Sequence, residues 1–139
     1  EALRNGHSSS PYAVFTALSQ AEAAVQKGDL AAAQADLAFA DSHAADPVLK
    51  SLIALRAARV VLAGGDAAAA LARVDGVPKT DFVALASELR GDALARLGRP
   101  ADARAAYEEA LKKLDPMAPG REVVQMKLGD LPAAEASKS

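Results

Sequence analysis

The chain has 139 residues, a mass of 14.2 kDa, a formal net charge of -2 and a pI near 5.7, which excludes the basic face that nucleic-acid binding requires. It is 51% hydrophobic but only 4% aromatic, so it can bury one modest core and offers few stacking platforms for bases. Cysteine is absent, which excludes a disulfide frame and a thiolate metal site.

Alanine makes up about a quarter of the residues, far above ordinary usage. Residues 1–10 (EALRNGHSSS) read as a flexible polar linker. A first helix is predicted from about Tyr12 to Lys27, with Gly28 at its left-handed C-terminal position. Asp29 then caps a second helix that runs to about Ser42. A loop through Asp46-Pro47 opens a third, ending near Gly64-Gly65. Asp66 caps a shorter fourth helix that stops near Asp75-Gly76. Pro78 sets up the fifth, from about Thr80 to Leu97, and Gly98 ends it. Pro100 sits in the first turn of the sixth, where a missing N–H costs nothing. That helix ends before Asp115-Pro116, and a last helix spans about Gly120 to Leu131. Residues 132–139 read as a disordered tail. The domain is therefore expected over 11–131. The most apolar stretch, Val60 to Val74, is interrupted by Gly64, Gly65, Asp66 and Arg73 and does not span a bilayer. The chain begins at Glu1 rather than Met, and reads as a soluble piece of something longer.

Repetition is the main signal. Gly28, Gly65 and Gly98 stand roughly 37 and 33 residues apart, bracketing the period of about 34 that marks tetratricopeptide repeats. Five residues after each comes an alanine (Ala33, Ala70, Ala103), where two helices cross and only a small side chain fits. In the third unit Gly91 marks a close helix approach, and Ala103, Tyr107 and Ala110 follow at the repeat spacing, with Pro116 closing the unit. Ala21, Ala33, Leu37 and Ala40 fill the same slots in the first unit, and Ala58, Ala70 and Val74 in the second. One hairpin cannot bury its apolar face alone, whereas about three stacked hairpins form a continuous core. The last helix suits a cap: Val124, Leu128 and Leu131 share one face, Val123 and Lys127 flank it, and Arg121, Glu122, Gln125 and Asp130 can face water. The fold class is all-α: a tetratricopeptide-like helical-hairpin solenoid of about three repeats with a C-terminal capping helix.

Three pieces of the sequence resemble one family. They are Leu89-Arg90-Gly91-Asp92-Ala93-Leu94 with the Gly98, Ala103-Arg104, Tyr107-Glu108 and Ala110 that follow, Leu55-Arg56-x-Ala58-Arg59-Val60, and Gln125-Met126-Lys127-Leu128-x-x-Leu131. Across roughly Tyr12 to Leu131 the chain resembles the periplasmic domain of the YfgM-type ancillary subunits of the SecYEG translocon. It departs from them in its alanine richness and in the turn Asp115-Pro116-Met117-Ala118-Pro119. The resemblance implies a single transmembrane anchor upstream of residue 1 and a domain at the periplasmic face of the bacterial inner membrane. It also implies two protein partners, the SecYEG translocon and a membrane-anchored periplasmic chaperone of the peptidyl-prolyl isomerase type. No nucleic acid is expected, and membrane association only through the anchor.

No catalytic, cofactor or metal site is expected. His7 and His43 are too few for a metal and should be solvated. Ser8-Ser9-Ser10 has no base to activate it. Asp29 and Asp66 lack calcium-loop spacing. Glu108/Lys112 and Glu109/Lys113 are exposed helix pairs. Tyr107 belongs to the core. In a stack of this kind the first helix of each hairpin lines a concave groove. Projection places Leu18, Glu22 and Gln26 there, then Leu55, Arg56 and Arg59, then Glu88, Asp92 and Arg96. The Lys and Asn set with which receptors of this fold hold a C-terminal carboxylate is missing. Arg56 and Arg59 can bind an acidic partner or pair with Asp or Glu of the next hairpin, and the sequence leaves both open. The expected role is a non-catalytic protein-interaction scaffold linking the secretion translocon to a periplasmic chaperone. The alternative is an adaptor of another envelope assembly, for lipoprotein, pilus or outer-membrane biogenesis. An enzyme would need a pocket of convergent polar groups, and a membrane-surface helix a basic polar face; the sequence offers neither.

Overall fold

The computed structural model describes residues 11–132. The expected linker with His7 and Ser8-Ser9-Ser10, and the expected tail apart from Pro132, lie outside the described residues. Seven helices follow in order: α1 (Pro11–Gln26), α2 (Leu30–His43), α3 (Pro47–Ala63), α4 (Ala67–Asp75), α5 (Val83–Arg96), α6 (Pro100–Lys113) and α7 (Gly120–Gly129). No strand occurs among the described residues. Helix α1 packs on α2, α3 on α4 and α5 on α6. Contacts of α2 with α3, α4 with α5 and α6 with α7 join these hairpins into a stack, and α3 also touches α5. This is the all-α hairpin solenoid that the repeat spacing predicts.

The hairpin turns repeat one design. Gly28, Gly65 and Gly98 have φ of 80°, 98° and 75°. The N–H that follows each of them reaches back five residues: Asp29 to the Ala24 carbonyl at 2.9 Å, Asp66 to Val61 at 3.2 Å and Arg99 to Leu94 at 3.0 Å. This left-handed closure satisfies carbonyls that a helix end leaves free, at a φ that side chains disfavour. Asp29 and Asp66 then accept from the N–H groups of Ala32 and Ala69 at 3.1 and 3.0 Å, and Asp46 from Val48 at 3.0 Å. Each cap satisfies a donor at the start of the next helix.

The helix-packing slots named from spacing (Ala21, Ala33, Leu37, Ala40, Ala58, Ala70, Val74, Gly91, Ala103, Tyr107 and Ala110) are buried, and Ala33, Ala40, Ala103 and Ala110 are 0% exposed, whereas Pro116 is exposed. Small side chains bring the helix axes together, and Ile53, Leu55, Leu94, Val14 and Val124 fill the space between them. Each such large residue contributes about 1.5–3 kcal/mol through burial. The core forms successive clusters along the stack. The first joins α1, α2 and α3 through Leu18, Leu37 and Ile53. The last joins α5, α6 and α7 through Leu94, Tyr107 and Val124.

Four local expectations are corrected. Helix α5 begins at Val83, not near Thr80. The Asp81 carboxylate accepts from the Ser51 hydroxyl of α3 at 2.7 Å instead of capping its own helix, and Phe82 takes a left-handed conformation with φ 50°. His43 is not a solvated turn residue: it ends α2, stacks on Phe39 with ring centroids 4.2 Å apart, and its Nδ1 lies 2.9 Å from the Phe39 carbonyl oxygen. Arg121 does not simply face water, because it donates to the Leu111 carbonyl at 2.9 Å and closes the end of α6. The ion pairs among the described residues are Arg90–Asp75, Arg99–Asp102 and those of Lys127, so the Glu–Lys pairs expected on α6 stay open.

Gly91 has a packing role. A Cβ placed there would sit 2.5–2.9 Å from the ring atoms of Tyr107, far inside van der Waals contact. Gly91→Ala should therefore lower the unfolding free energy by about 1–3 kcal/mol through overpacking. Because the added methyl and the ring compete for one space, the loss for Gly91→Ala/Tyr107→Leu should be smaller than the sum of the single losses. Urea unfolding of the four proteins checks this, and additive losses would mean that the two groups do not meet.

Candidate functional site

The first helices of the hairpins, α1, α3 and α5, carry the residues projected onto the concave face. Between α1 and α3 the chain forms an open pocket of about 220 Å³. Leu18, Ala21 and Val25 of α1 and Val60 and Ala63 of α3 supply apolar walls, with Leu37 of α2 behind them. The polar lining residues are Glu22, Arg56 and Arg59. Leu18 is buried and forms part of the floor, whereas Glu22 and Arg59 are exposed and Arg56 is half-buried. The structure thus brings together Leu18, Glu22, Arg56 and Arg59. Gln26 is exposed near the end of α1 and does not line this pocket.

Leu55 corrects the projection. It is 0% exposed and packs with Val74, Val77 and Leu89, so it belongs to the core and presents nothing to a partner. It precedes Arg56 by one residue, which on a helix is a rotation of about 100°, enough to turn it from the groove into the hairpin.

The residues projected from α5 are also engaged within the fold. The Lys127 ammonium of α7 donates to Glu88 at 2.6 Å and to Asp92 at 3.0 Å. The second carboxylate oxygen of Asp92 accepts from the Tyr107 hydroxyl at 2.6 Å. Arg96 is exposed but donates to the Leu62 carbonyl at 3.0 Å, near the end of α3. Glu88 and Asp92 therefore cross-link α5 to α6 and α7 instead of offering free charge. The sequence reading gave Lys127 only a flanking place. Carboxylates four residues apart on one helix repel each other unless a cation lies over both, a signal that Glu88 and Asp92 need a cation but not of which one.

Of the two roles left open for the arginines, pairing with the next hairpin is not seen. Glu88 and Asp92 of the next hairpin are occupied by Lys127 and Tyr107, and neither Arg56 nor Arg59 has an ion-pair or hydrogen-bond partner among the described residues. Two guanidinium groups thus stand on an apolar groove with Glu22 on the facing wall. No three His, Asp or Glu side chains among the described residues are grouped to hold a metal ion. No helix among them is long and apolar enough to cross a membrane.

Two pKa shifts report the cross-link. Burial holds the Tyr107 phenol well above its ordinary range, aided by its hydrogen bond to Asp92 and by the charges of Asp92 and Glu88. For Lys127, burial favours the neutral amine, but the hydrogen bonds and charges of Glu88 and Asp92 outweigh it and raise the pKa above the usual lysine value. Both groups hold their protons more tightly folded than unfolded. Their stabilisation is complete below the unfolded values near 10.0 and 10.5 and is lost as the pH rises toward the folded values, since the unfolded chain then binds fewer protons. The urea midpoint should fall between pH 9 and 11, and Tyr107→Phe should make that fall shallower. Lys127→Met should cost about 1–2 kcal/mol at pH 7, since it leaves two half-buried carboxylates without their donor. A midpoint independent of pH in this window would rule out the cross-link.

Comparison with known proteins agrees with the fold. Residues 1–133 match a tetratricopeptide repeat-like domain family. The chain is 34% identical over 120 residues to the ancillary SecYEG translocon subunit of Escherichia coli (strain K12), covering 86% of this chain and 58% of that protein. It is 31% identical over 131 residues to the subunit of the same name from Haemophilus influenzae, covering 94% and 63%. A third such subunit, from Neisseria gonorrhoeae, is 34% identical over 99 residues, covering 71% and 47%. The chain thus spans 47–63% of the length of these relatives. No solved structure matches it. With a family match across nearly its whole length and three relatives of one name, the chain belongs to the tetratricopeptide repeat-like family of ancillary SecYEG translocon subunits.

Proposed function

We propose that this chain is the partner-presenting domain of a translocon-associated scaffold. The domain spans residues 11–131 and is non-catalytic. It works at the periplasmic face of the bacterial inner membrane, held there by a single-pass anchor upstream of residue 1. There it links the SecYEG translocon to a periplasmic chaperone of the peptidyl-prolyl isomerase type. The observation that carries this reading is the similarity to three ancillary translocon subunits across 71–94% of the chain. It favours the translocon over other envelope assemblies that use the same fold.

The geometry supports a scaffold in two ways. The stack is rigidly closed at its third hairpin by the Tyr107–Asp92–Lys127 chain, so a partner meets a preformed surface and little ordering entropy is lost on binding. The groove residues Leu18, Glu22, Arg56 and Arg59 stand on three-turn and longer helices and not on loops, which fixes their spacing before a partner arrives. Gln26, Glu88, Asp92 and Arg96 are proposed to lie outside this pocket, on the outer part of the partner surface.

The test is co-purification. The full-length protein, taken from its native membrane in mild detergent, should bring down translocon subunits together with a periplasmic chaperone. Deleting residues 11–131 should abolish chaperone recovery. Recovery of neither partner, under conditions that keep the translocon intact, would sink the assignment and leave the fold standing.

A further inference from the structure

We infer that the α1–α3 groove takes an internal segment of a partner protein in which an aliphatic side chain neighbours an acidic one. The aliphatic group fills the pocket, and the carboxylate is shared between Arg56 and Arg59. This deepens the scaffold reading and rests on it.

Size comes first. At about 220 Å³ the pocket is smaller than the roughly 300–1,000 Å³ that small ligands and cofactors occupy. It has room for a side-chain anchor. Its walls are aliphatic, from Leu18, Ala21, Val25 and Val60, with no aromatic face, so it suits Leu, Ile or Val better than a ring.

Charge gives the second element. Arg56 and Arg59 lie three residues apart and therefore on one helix face. Their guanidinium donors have no acceptor among the described residues. A carboxylate has four lone-pair positions and can accept from both. Glu22 across the groove reduces the excess to one positive charge, which matches one acidic side chain and not a polyanion. Glu22 can in turn accept a backbone N–H of the bound segment.

The third element is what the groove lacks. No Asn, Gln or Lys lines this pocket, so the set with which receptors of this fold hold a C-terminal carboxylate is missing. An acidic side chain within a segment needs no such donors.

Other exposed surfaces carry less. The notch near the short α4 contains Arg90 and Asp75, which already pair with each other. The outer face of α7 exposes Val123 and Met126, but nothing in the structure shows what covers it.

The experiment measures anisotropy of labelled peptides on the full 139-residue chain. The probe is an acetylated, amidated Gly-Ser peptide carrying two Glu-Leu pairs. Its counterparts carry Gln-Leu, Lys-Leu or Glu-Ser, and one carries Leu with a free C-terminal carboxylate. The Glu-Leu peptide should bind at least tenfold more tightly than the Gln-Leu and Glu-Ser peptides, and its affinity should fall as salt rises. Arg56→Gln/Arg59→Gln should remove the preference. Arg56→Glu/Arg59→Glu should transfer it to the Lys-Leu peptide, a gain that an unfolded variant cannot mimic. Equal binding of Glu-Leu and Gln-Leu, no binding of either, or preference for the free carboxylate would overturn the inference. Such a result with partner co-purification intact would leave the scaffold reading in place. Loss of co-purification with the peptide preference intact would do the reverse.

Discussion

The contact between Gly91 and the ring of Tyr107 sets the geometry of the third hairpin and, through it, the charge of the concave face. The ring lies where a Cβ at position 91 would be. Only that proximity brings the hydroxyl within 2.6 Å of Asp92, the next residue on α5. Asp92 is then held at one oxygen by α6 and at the other by Lys127 of α7. A steric fit between two helices thus becomes an electrostatic link among three. Had residue 91 carried a side chain, its Cβ would collide with the ring, and the hydroxyl could not keep its place on Asp92 without a shift of α6 against α5.

An alanine-rich core makes such fits decisive. Each buried alanine removes little apolar area from water, but it loses no rotamer entropy on folding and lets helices approach closely. The stack is held by many small contributions spread over clusters linked end to end, as expected where each hairpin touches only its neighbours. No single central core dominates. The polar links count for more in this setting. Ser51 holding Asp81 and Arg96 closing α3 tie the second hairpin to the third, and Arg121 closing α6 ties the last helix to it, at points where alanine gives little purchase.

What could be read from the sequence was what repeats. Gly28, Gly65 and Gly98 announce turns because a left-handed φ singles out glycine, and the Ala and Tyr107 slots follow from the helical period. The groove was only partly legible. Leu18, Glu22, Arg56 and Arg59, projected together from the repeat, line one pocket. Leu55 does not, since a shift of one position rotates a side chain by about 100° and spacing alone does not fix the zero of that rotation. Lys127 was missed as a partner of Glu88 and Asp92 because they are 39 and 35 residues apart. Their meeting depends on how α7 seats against the last hairpin, and no local pattern encodes that. Phe82 was hidden for a similar reason: its conformation follows from Asp81 being drawn to α3.

The capping helix also determines which charges remain for a partner. Glu88 and Asp92 on α5 are the acids that the next hairpin offers to Arg56 and Arg59, and an ion pair between neighbouring hairpins would have silenced all four groups. Both acids are instead held by Lys127 of α7. The cost of leaving Arg56 half-buried without a carboxylate is small, since its stem lies on apolar wall while its head reaches water. An exposed pair of cations adds little to the stability of the fold, but it orients an approaching acidic segment and disfavours a basic one. The ammonium that seats the last helix thus occupies two acids of α5, while the two guanidinium groups of α3 keep no partner among the described residues.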